Sequence, residues 1–139
     1  MAKINLLLGI HNHQPVGNFD NVFKDSYEKC YLPFIQALES HPKIRLTLHY
    51  TGPLWEWIEF NEPDFFERIK NLVNRNQIEL LTGGFYEPIL PMITEADAIG
   101  QIRLHTRFIK ERFGYNPTGL WLAERVWDPS LPKTLSASD

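Results

Sequence analysis

Four short apolar runs are spaced along the chain, and they predict buried β-strands. Each is nearly continuous in apolar residues and partly β-branched, which is typical of strands covered on both faces. The runs lie at residues 4–10, 44–50, 78–82 and 119–122. In the second run the polar residues Arg45, Thr47 and His49 alternate with apolar ones, so they share one face of the predicted strand.

Helical patterns separate these strands. Over residues 21–40, apolar side chains recur at three- and four-residue steps, and Pro33 inside the pattern predicts a kink or a break near Tyr31. Residues 61–74 form a second stripe, for which Asn61 can serve as the N-terminal cap. Two helices are therefore expected between the first and third strands.

A third helix is predicted over residues 94–113. Thr94 and Asp97 resemble a capping box at its start, and Gly114 is a typical residue to end it. A shorter helical pattern follows over residues 131–136. Strands that alternate with helices in this way predict an α/β fold with a parallel sheet and no second domain.

Composition narrows the classes of function. The chain has 139 residues, 43% of them hydrophobic and 22% charged, as in ordinary soluble domains. Its net charge of −3 comes without a basic stripe, so a nucleic-acid partner is not expected. No apolar run approaches a membrane span or a signal peptide, which predicts a cytoplasmic protein without a membrane partner. The single cysteine, Cys30, excludes an intramolecular disulfide and is predicted to be a buried thiol.

A polar and aromatic segment follows each predicted strand. These segments lie at residues 11–15, 50–55, 83–88 and 123–127. Because the carboxyl ends of parallel strands meet at one edge of a sheet, we expect the four segments to converge there. The loops that enter the strands carry no comparable cluster. This asymmetry predicts a binding or catalytic site at the carboxyl edge.

Glu124 is the best candidate for a nucleophile in that site. Trp121 and Trp127 on either side of it offer flat apolar faces for a sugar ring. Arg125 is placed to keep the carboxyl group ionised. The alternative interpretation is a buried Glu–Arg pair with the two tryptophans in the core.

His11 and His13 allow three interpretations. They could bond substrate hydroxyls, bind a metal ion such as zinc together with a carboxylate, or satisfy buried backbone groups. Glu87 is a candidate partner for sugar hydroxyls, and the alternative is a surface acid on a turn. His49 and His105 are interpreted as structural, with His105 at the margin of its helix.

Three segments resemble the first three sequence signatures of glycoside hydrolase family 57. They are HNHQP at 11–15, GGFYEP at 83–88 and WLAERVW at 121–127, in the same order as in the family. The resemblance covers essentially the whole chain and is strongest to members of the 4-α-glucanotransferase and α-amylase type.

The resemblance implies the first portion of an incomplete (β/α)7 barrel that acts on α-1,4-glucans and maltooligosaccharides. It implies retention of configuration, no cofactor and no catalytic metal, with Glu124 as the nucleophile. The other residues predicted to contact substrate are His11, His13, Gln14, Glu87, Trp121, Arg125 and Trp127.

One part of the family's machinery is not found in residues 1–139. The resemblance places its acid/base aspartate in a fourth signature, beyond Asp139, and a retaining mechanism needs two carboxyl groups about 5–5.5 Å apart. We therefore expect this chain to be a truncated, N-terminal part of a catalytic barrel that is inactive alone. Two alternatives remain: a metal-dependent deacetylase or α-mannosidase-like enzyme that uses His11 and His13, or a non-catalytic carbohydrate-binding module.

Overall fold

Three parallel strands form the centre of the molecule. The structure is a computed structural model and describes residues 4–138. Strands β1 (Gly9–Asn12), β2 (Leu46–Tyr50) and β3 (Ile78–Leu80) pair in the order β1-β2-β3. The prediction of an α/β fold with parallel strands is confirmed. The predicted fourth strand is reduced to a parallel bridge between Thr82 and Leu120.

The predicted first strand is wrong over its first half. Ile4, Leu6 and Leu7 are 93%, 84% and 95% exposed, and pairing begins only where the Thr47 amide donates to the Leu8 carbonyl. An apolar run becomes a buried strand only where other elements cover it. Within the described residues, β2 starts only at Leu46, so residues 4–7 have no paired strand beside them. The side chains of Ile4, Leu6 and Leu7 therefore stay exposed.

Six α-helices connect and cover these strands in the described part of the chain. They are α1 (Asp20–Ser26), α2 (Leu32–Ser40), α3 (Gly52–Asn61), α4 (Asp64–Asn74), α5 (Glu95–Phe113) and α6 (Leu131–Ala137). A π-helical turn, Tyr27–Tyr31, joins α1 to α2 directly before Pro33. The irregularity predicted near Tyr31 is therefore confirmed, because proline cannot donate the hydrogen bond that a regular helix needs.

The ends of α5 follow the sequence signals. The Thr94 side chain accepts a hydrogen bond from the Asp97 amide, which caps the helix. Gly114 ends it in the left-handed region with φ 63°. The helix predicted over residues 131–136 is also present as α6.

Three local predictions are wrong. Asn61 was expected to cap the helix over residues 61–74, but it is the last residue of α3, and α4 begins at Asp64. His105 is fully buried and does not lie at a helix margin. Cys30 is exposed, because Tyr27 and Tyr31 take the inward positions of the π-helical turn.

The two faces of the sheet differ in polarity. Side chains of β2 and β3 such as Leu46, Leu48 and Ile78 pack against α1–α4 and the end of α5 in the main core. The opposite face carries the alternating polar residues, among them His49 in the central strand. In the described residues no helix is both long and apolar enough to cross a membrane.

Candidate active site

Strand register places two histidines side by side on the polar face. His11 in β1 pairs with His49 in β2, so both side chains point to the same side of the sheet. Their Nδ1 atoms lie 2.9 Å apart, and one ring donates to the other. His49 is completely buried, whereas His11 is partly exposed. The pair therefore links a fully buried position on β2 to a partly exposed position on β1.

Glu87 joins these histidines from the loop after β3. A tight turn, in which the Glu87 amide donates to the Gly84 carbonyl over 3.0 Å, holds it at φ 53°. Its carboxylate, 10% exposed, lies 3.4 Å from His11 Nε2 through Oε1, and its Oε2 pairs with His13 Nδ1. The predicted convergence of the first and third polar segments is seen in these contacts.

Close packing at Gly83 makes room for His49. A Cβ atom at this position would lie 2.8 Å from His49 Nε2 and 3.1 Å from the Trp121 carbonyl oxygen. Residue 83 must therefore lack a side chain for the imidazole to take its place beneath the site. Gly83 therefore acts by allowing this approach, whereas a Cβ atom at Gly84 would lie 2.7 Å from Pro88 Cδ.

Burial keeps the inner histidines neutral. Desolvation lowers the pKa of His49 to about 2, and the neighbouring His105 and His11 add to the effect. Burial also lowers the pKa of His11, while the Glu87 and Glu124 carboxylates partly oppose this change. The fourth polar segment lies close to the first, because the Trp121 ring, two residues before it, stacks on the His11 ring.

The segment around Glu124 is attached through its backbone to Thr82, two residues after β3 ends. The Trp121 amide donates to the Thr82 carbonyl over 2.8 Å, and the Trp121 ring stacks on His11 with centroids 4.4 Å apart. Glu124 and Arg125 follow with φ 52° and 56°. A left-handed conformation at a non-glycine residue costs roughly 1–3 kcal/mol and tends to occur at functional sites.

Positive φ is concentrated in the candidate site. Within residues 4–138, the non-glycine residues in this region are Asn76, Glu87, Glu124 and Arg125. Asparagine adopts it readily, so Asn76 needs no special explanation. The other three all belong to the polar segments, and two of them are the predicted carboxylates.

Three predicted substrate contacts are not brought into this cluster. Gln14 is buried, and its amide group bonds Ser26, Tyr31 and Asn18, so it supports the loop from behind. Within the described residues Arg125 makes no ion pair with Glu124. Trp127 is 62% exposed and borders an open cleft beside α5 and α6. Direct contact of these residues with substrate remains a prediction.

His49 is the residue that the sequence interpretation missed. It was interpreted as structural, yet it holds His11 and lies 4.0 Å from the Glu87 carboxylate. Its alternation with Thr47 already placed it on a polar face. Only the parallel register of β1 and β2 shows that His11 shares that face.

We expect His105 to make the protein sensitive to acid. Burial lowers its pKa from 6.5 to about 4, so the unfolded chain binds one more proton than the folded protein in this interval. Burial of neutral His105 therefore leaves the free energy of unfolding at its full value above pH 6.5. This free energy falls by about 3 kcal/mol as the pH drops from 6.5 to 4. Its neighbour His49 acts in the same direction. Thermal melts of the full gene product between pH 7 and 4 would measure the loss.

Two variants make this test specific. On unfolding, the His105→Leu variant should take up about one proton fewer than wild type. The free energy of unfolding should therefore fall less steeply with decreasing pH in this variant. His41→Gln is the control, because His41 is exposed at the end of α2 and should leave the slope unchanged. Equal slopes for wild type and His105→Leu would contradict the assignment.

Comparison with known proteins identifies the family. A sequence model described as glycosyl hydrolase family 57 matches residues 7–138. The chain is 48% identical over 136 residues to an α-amylase of Pyrococcus furiosus and 44% identical over 135 residues to a 4-α-glucanotransferase of Thermococcus litoralis. These alignments cover 98% and 97% of this chain. The chain belongs to glycosyl hydrolase family 57.

Solved structures agree with the fold. The crystal structure of the Thermococcus litoralis 4-α-glucanotransferase superposes with a TM-score of 0.97 at 43% identity, over 99% of this chain and 22% of that one. The α-amylase AmyC of Thermotoga maritima shares the fold at 17% identity, with a TM-score of 0.76 over 95% of this chain and 38% of that one. The chain spans about a fifth of the length of the curated relatives it matches.

Proposed function

We propose that this chain supplies the nucleophile of a retaining enzyme that cleaves or transfers α-1,4-glucans. The observation that carries the proposal is the position of Glu124, in strained backbone three residues after Trp121, whose ring stacks on His11 at the carboxyl edge of the sheet. Relatives named α-amylase and 4-α-glucanotransferase support the substrate class. A cytoplasmic location stays a prediction.

The proposed reaction has two steps. The Glu124 carboxylate attacks the anomeric carbon, the glycosidic C–O bond breaks, and the leaving oxygen takes a proton from an acid. Water or a sugar hydroxyl then attacks the glycosyl ester and returns the proton equivalent to the same acid, now acting as a base. The family resemblance places that acid/base beyond Asp139. Residues 1–139 alone should therefore not turn sugar over.

The neighbouring side chains have separate roles in this proposal. Glu87, with His11 and His13, presents acceptors and donors to hydroxyl groups of the sugar at the reacting position. The Trp121 ring stacks on the His11 ring and holds the His11 ring in its orientation. His49 is a positioning residue, because it acts through His11 and is itself fully buried.

Covalent trapping tests the assignment directly. A fluorinated, activated glucosyl donor that forms the ester quickly and releases it slowly should add one sugar mass to the full gene product. Trypsin cuts after Arg112 and Arg125, and peptide 113–125 contains Glu124 as its one side-chain carboxyl group. We expect the label on this peptide.

The adjacent peptide is a built-in control. Residues 126–133 carry Asp128, the next carboxyl group along the chain, whose side chain is already bonded to Ser130. A label on this peptide, or on any peptide other than 113–125, would sink the nucleophile assignment. Prior incubation with maltotriose should slow labelling if the site binds α-glucans.

A further inference from the structure

We infer that His11, His13 and Glu87 form a binding site for a divalent transition-metal ion of the zinc type, which competes with the sugar. One ligand atom from each residue lies within 4.8 Å of the other two. Two neutral imidazoles and one carboxylate are a donor set that binds zinc with a fourth position open. The inference rests on the proposed function only for the identity of the competing ligand.

The spacing of His11 and Glu87 fits a small ion, whereas His13 Nδ1 touches Glu87 Oε2 and would have to move to become a ligand. Two ligand atoms bound to zinc at 2.0–2.1 Å and a tetrahedral angle lie about 3.3–3.4 Å apart. His11 Nε2 and Glu87 Oε1 are already 3.4 Å apart. The His13 side chain is 46% exposed, so it has room to rotate its ring into the third position.

A buried oxygen provides a second, independent indication. Glu87 Oε1 is inaccessible to solvent and has no hydrogen-bond partner among the described residues, although its side chain points into the cluster. A buried carboxylate oxygen without a donor is costly. A cation between it and His11 would remove that cost.

His49 orients the His11 ring so that its Nε2 atom can bind a metal ion. When His11 Nδ1 donates to His49 Nδ1, His11 Nε2 carries a lone pair that faces the Glu87 carboxylate. Two acceptors then oppose each other with no proton between them. An imidazole whose far nitrogen donates to a second residue is the usual arrangement of a metal-bound histidine.

Binding of the ion would block the site. The same three side chains hold sugar hydroxyls in the proposed function, so metal and substrate cannot use them together. Imidazole ligands favour Zn²⁺, Co²⁺, Ni²⁺ and Cu²⁺ over Mg²⁺ and Ca²⁺. We expect inhibition by the first group, overcome by higher substrate concentration, and none by Mg²⁺.

Calorimetric titration of the metal-free full gene product with zinc chloride tests the site without an activity assay. Wild type should bind one equivalent that His13→Gln and Glu87→Gln weaken by about tenfold or more. His41→Gln, at an exposed histidine outside the cluster, should bind like wild type. Cobalt chloride should give a visible absorption band that the same two variants lose, and magnesium chloride should give no heat.

The outcomes separate this inference from the proposed function. Absence of zinc binding at millimolar concentration, or binding that both cluster variants retain, would overturn the site. The His13 side chain is nearly half exposed, so His13→Gln keeps the test valid even if Glu87→Gln fails to fold. Labelling of Glu124 in metal-free protein would still support the glycosidase proposal. Zinc binding that maltotriose leaves unchanged would overturn the competition.

Discussion

Replacing Glu124 by glutamine should lower kcat on maltooligosaccharides by roughly 10³-fold or more. Glutamine has nearly the same shape, but its neutral amide is too weak a nucleophile to form the glycosyl ester. Because Glu124 is exposed and its segment is anchored through Trp121 and Thr82, folding should be unaffected. Steady-state kinetics of the full gene product, with circular dichroism as a check on folding, would measure the effect.

A smaller side chain at the same position should reveal the role of the carboxylate. Glu124→Ala opens space for azide, which should restore turnover of an activated donor and give a glycosyl azide of inverted configuration. Asp128→Asn is the matched control on the same loop, because asparagine can still accept the bonds from Ser130. If Glu124→Gln kept kcat within a few-fold of wild type, another residue would have to attack.

Gly52→Ala should destabilise the protein by about 3 kcal/mol. Gly52 begins α3, its amide donates to the Phe85 carbonyl over 2.8 Å, and an added Cβ would overlap three atoms of the Phe85 ring. Phe85 is buried against His105 and Phe108, so the ring has no space into which to move. The overlap must push the loop that carries Glu87.

Thermal melts and hydrogen exchange of the full gene product would test this prediction. Exchange should accelerate in peptides from residues 80–90, and sugar binding should weaken as Glu87 shifts. Gly100→Ala is the matched control, because nothing lies within 4 Å of its added Cβ. In the interior of α5 this change should stabilise by about 0.5–1 kcal/mol. Equal stability of the two variants would contradict the packing argument.

Some features of the fold follow from local signals and were predictable. Thr94 and Gly114 mark the ends of α5 because capping and left-handed termination depend on only a few neighbouring residues. Pro33 similarly predicted the irregular turn before α2. The exposure of residues 4–7 was not predictable, because an apolar run by itself does not show whether another element of the fold covers it.

In the candidate site, too, some residues could be identified from the sequence and others only from the structure. Residue types and motif order identified His11, His13, Glu87 and Glu124 as functional candidates, because each strand end carries its own polar segment. The role of His49 depended on a neighbour 38 residues away in sequence. Its importance could not be recognised before the pairing of β1 with β2 was known.

The amino-acid sequence by itself determined the alternation of strands and helices, the carboxyl edge as the place of the candidate site, and the family. These depend on periodicity, turn chemistry and motifs, which are local along the chain. Only the tertiary structure decided that Gln14 faces inward, that His49 supports His11, and that Glu87 lies between two histidines. Those contacts arise from strand register and from close packing at Gly52 and Gly83, which bring together residues that are distant in sequence.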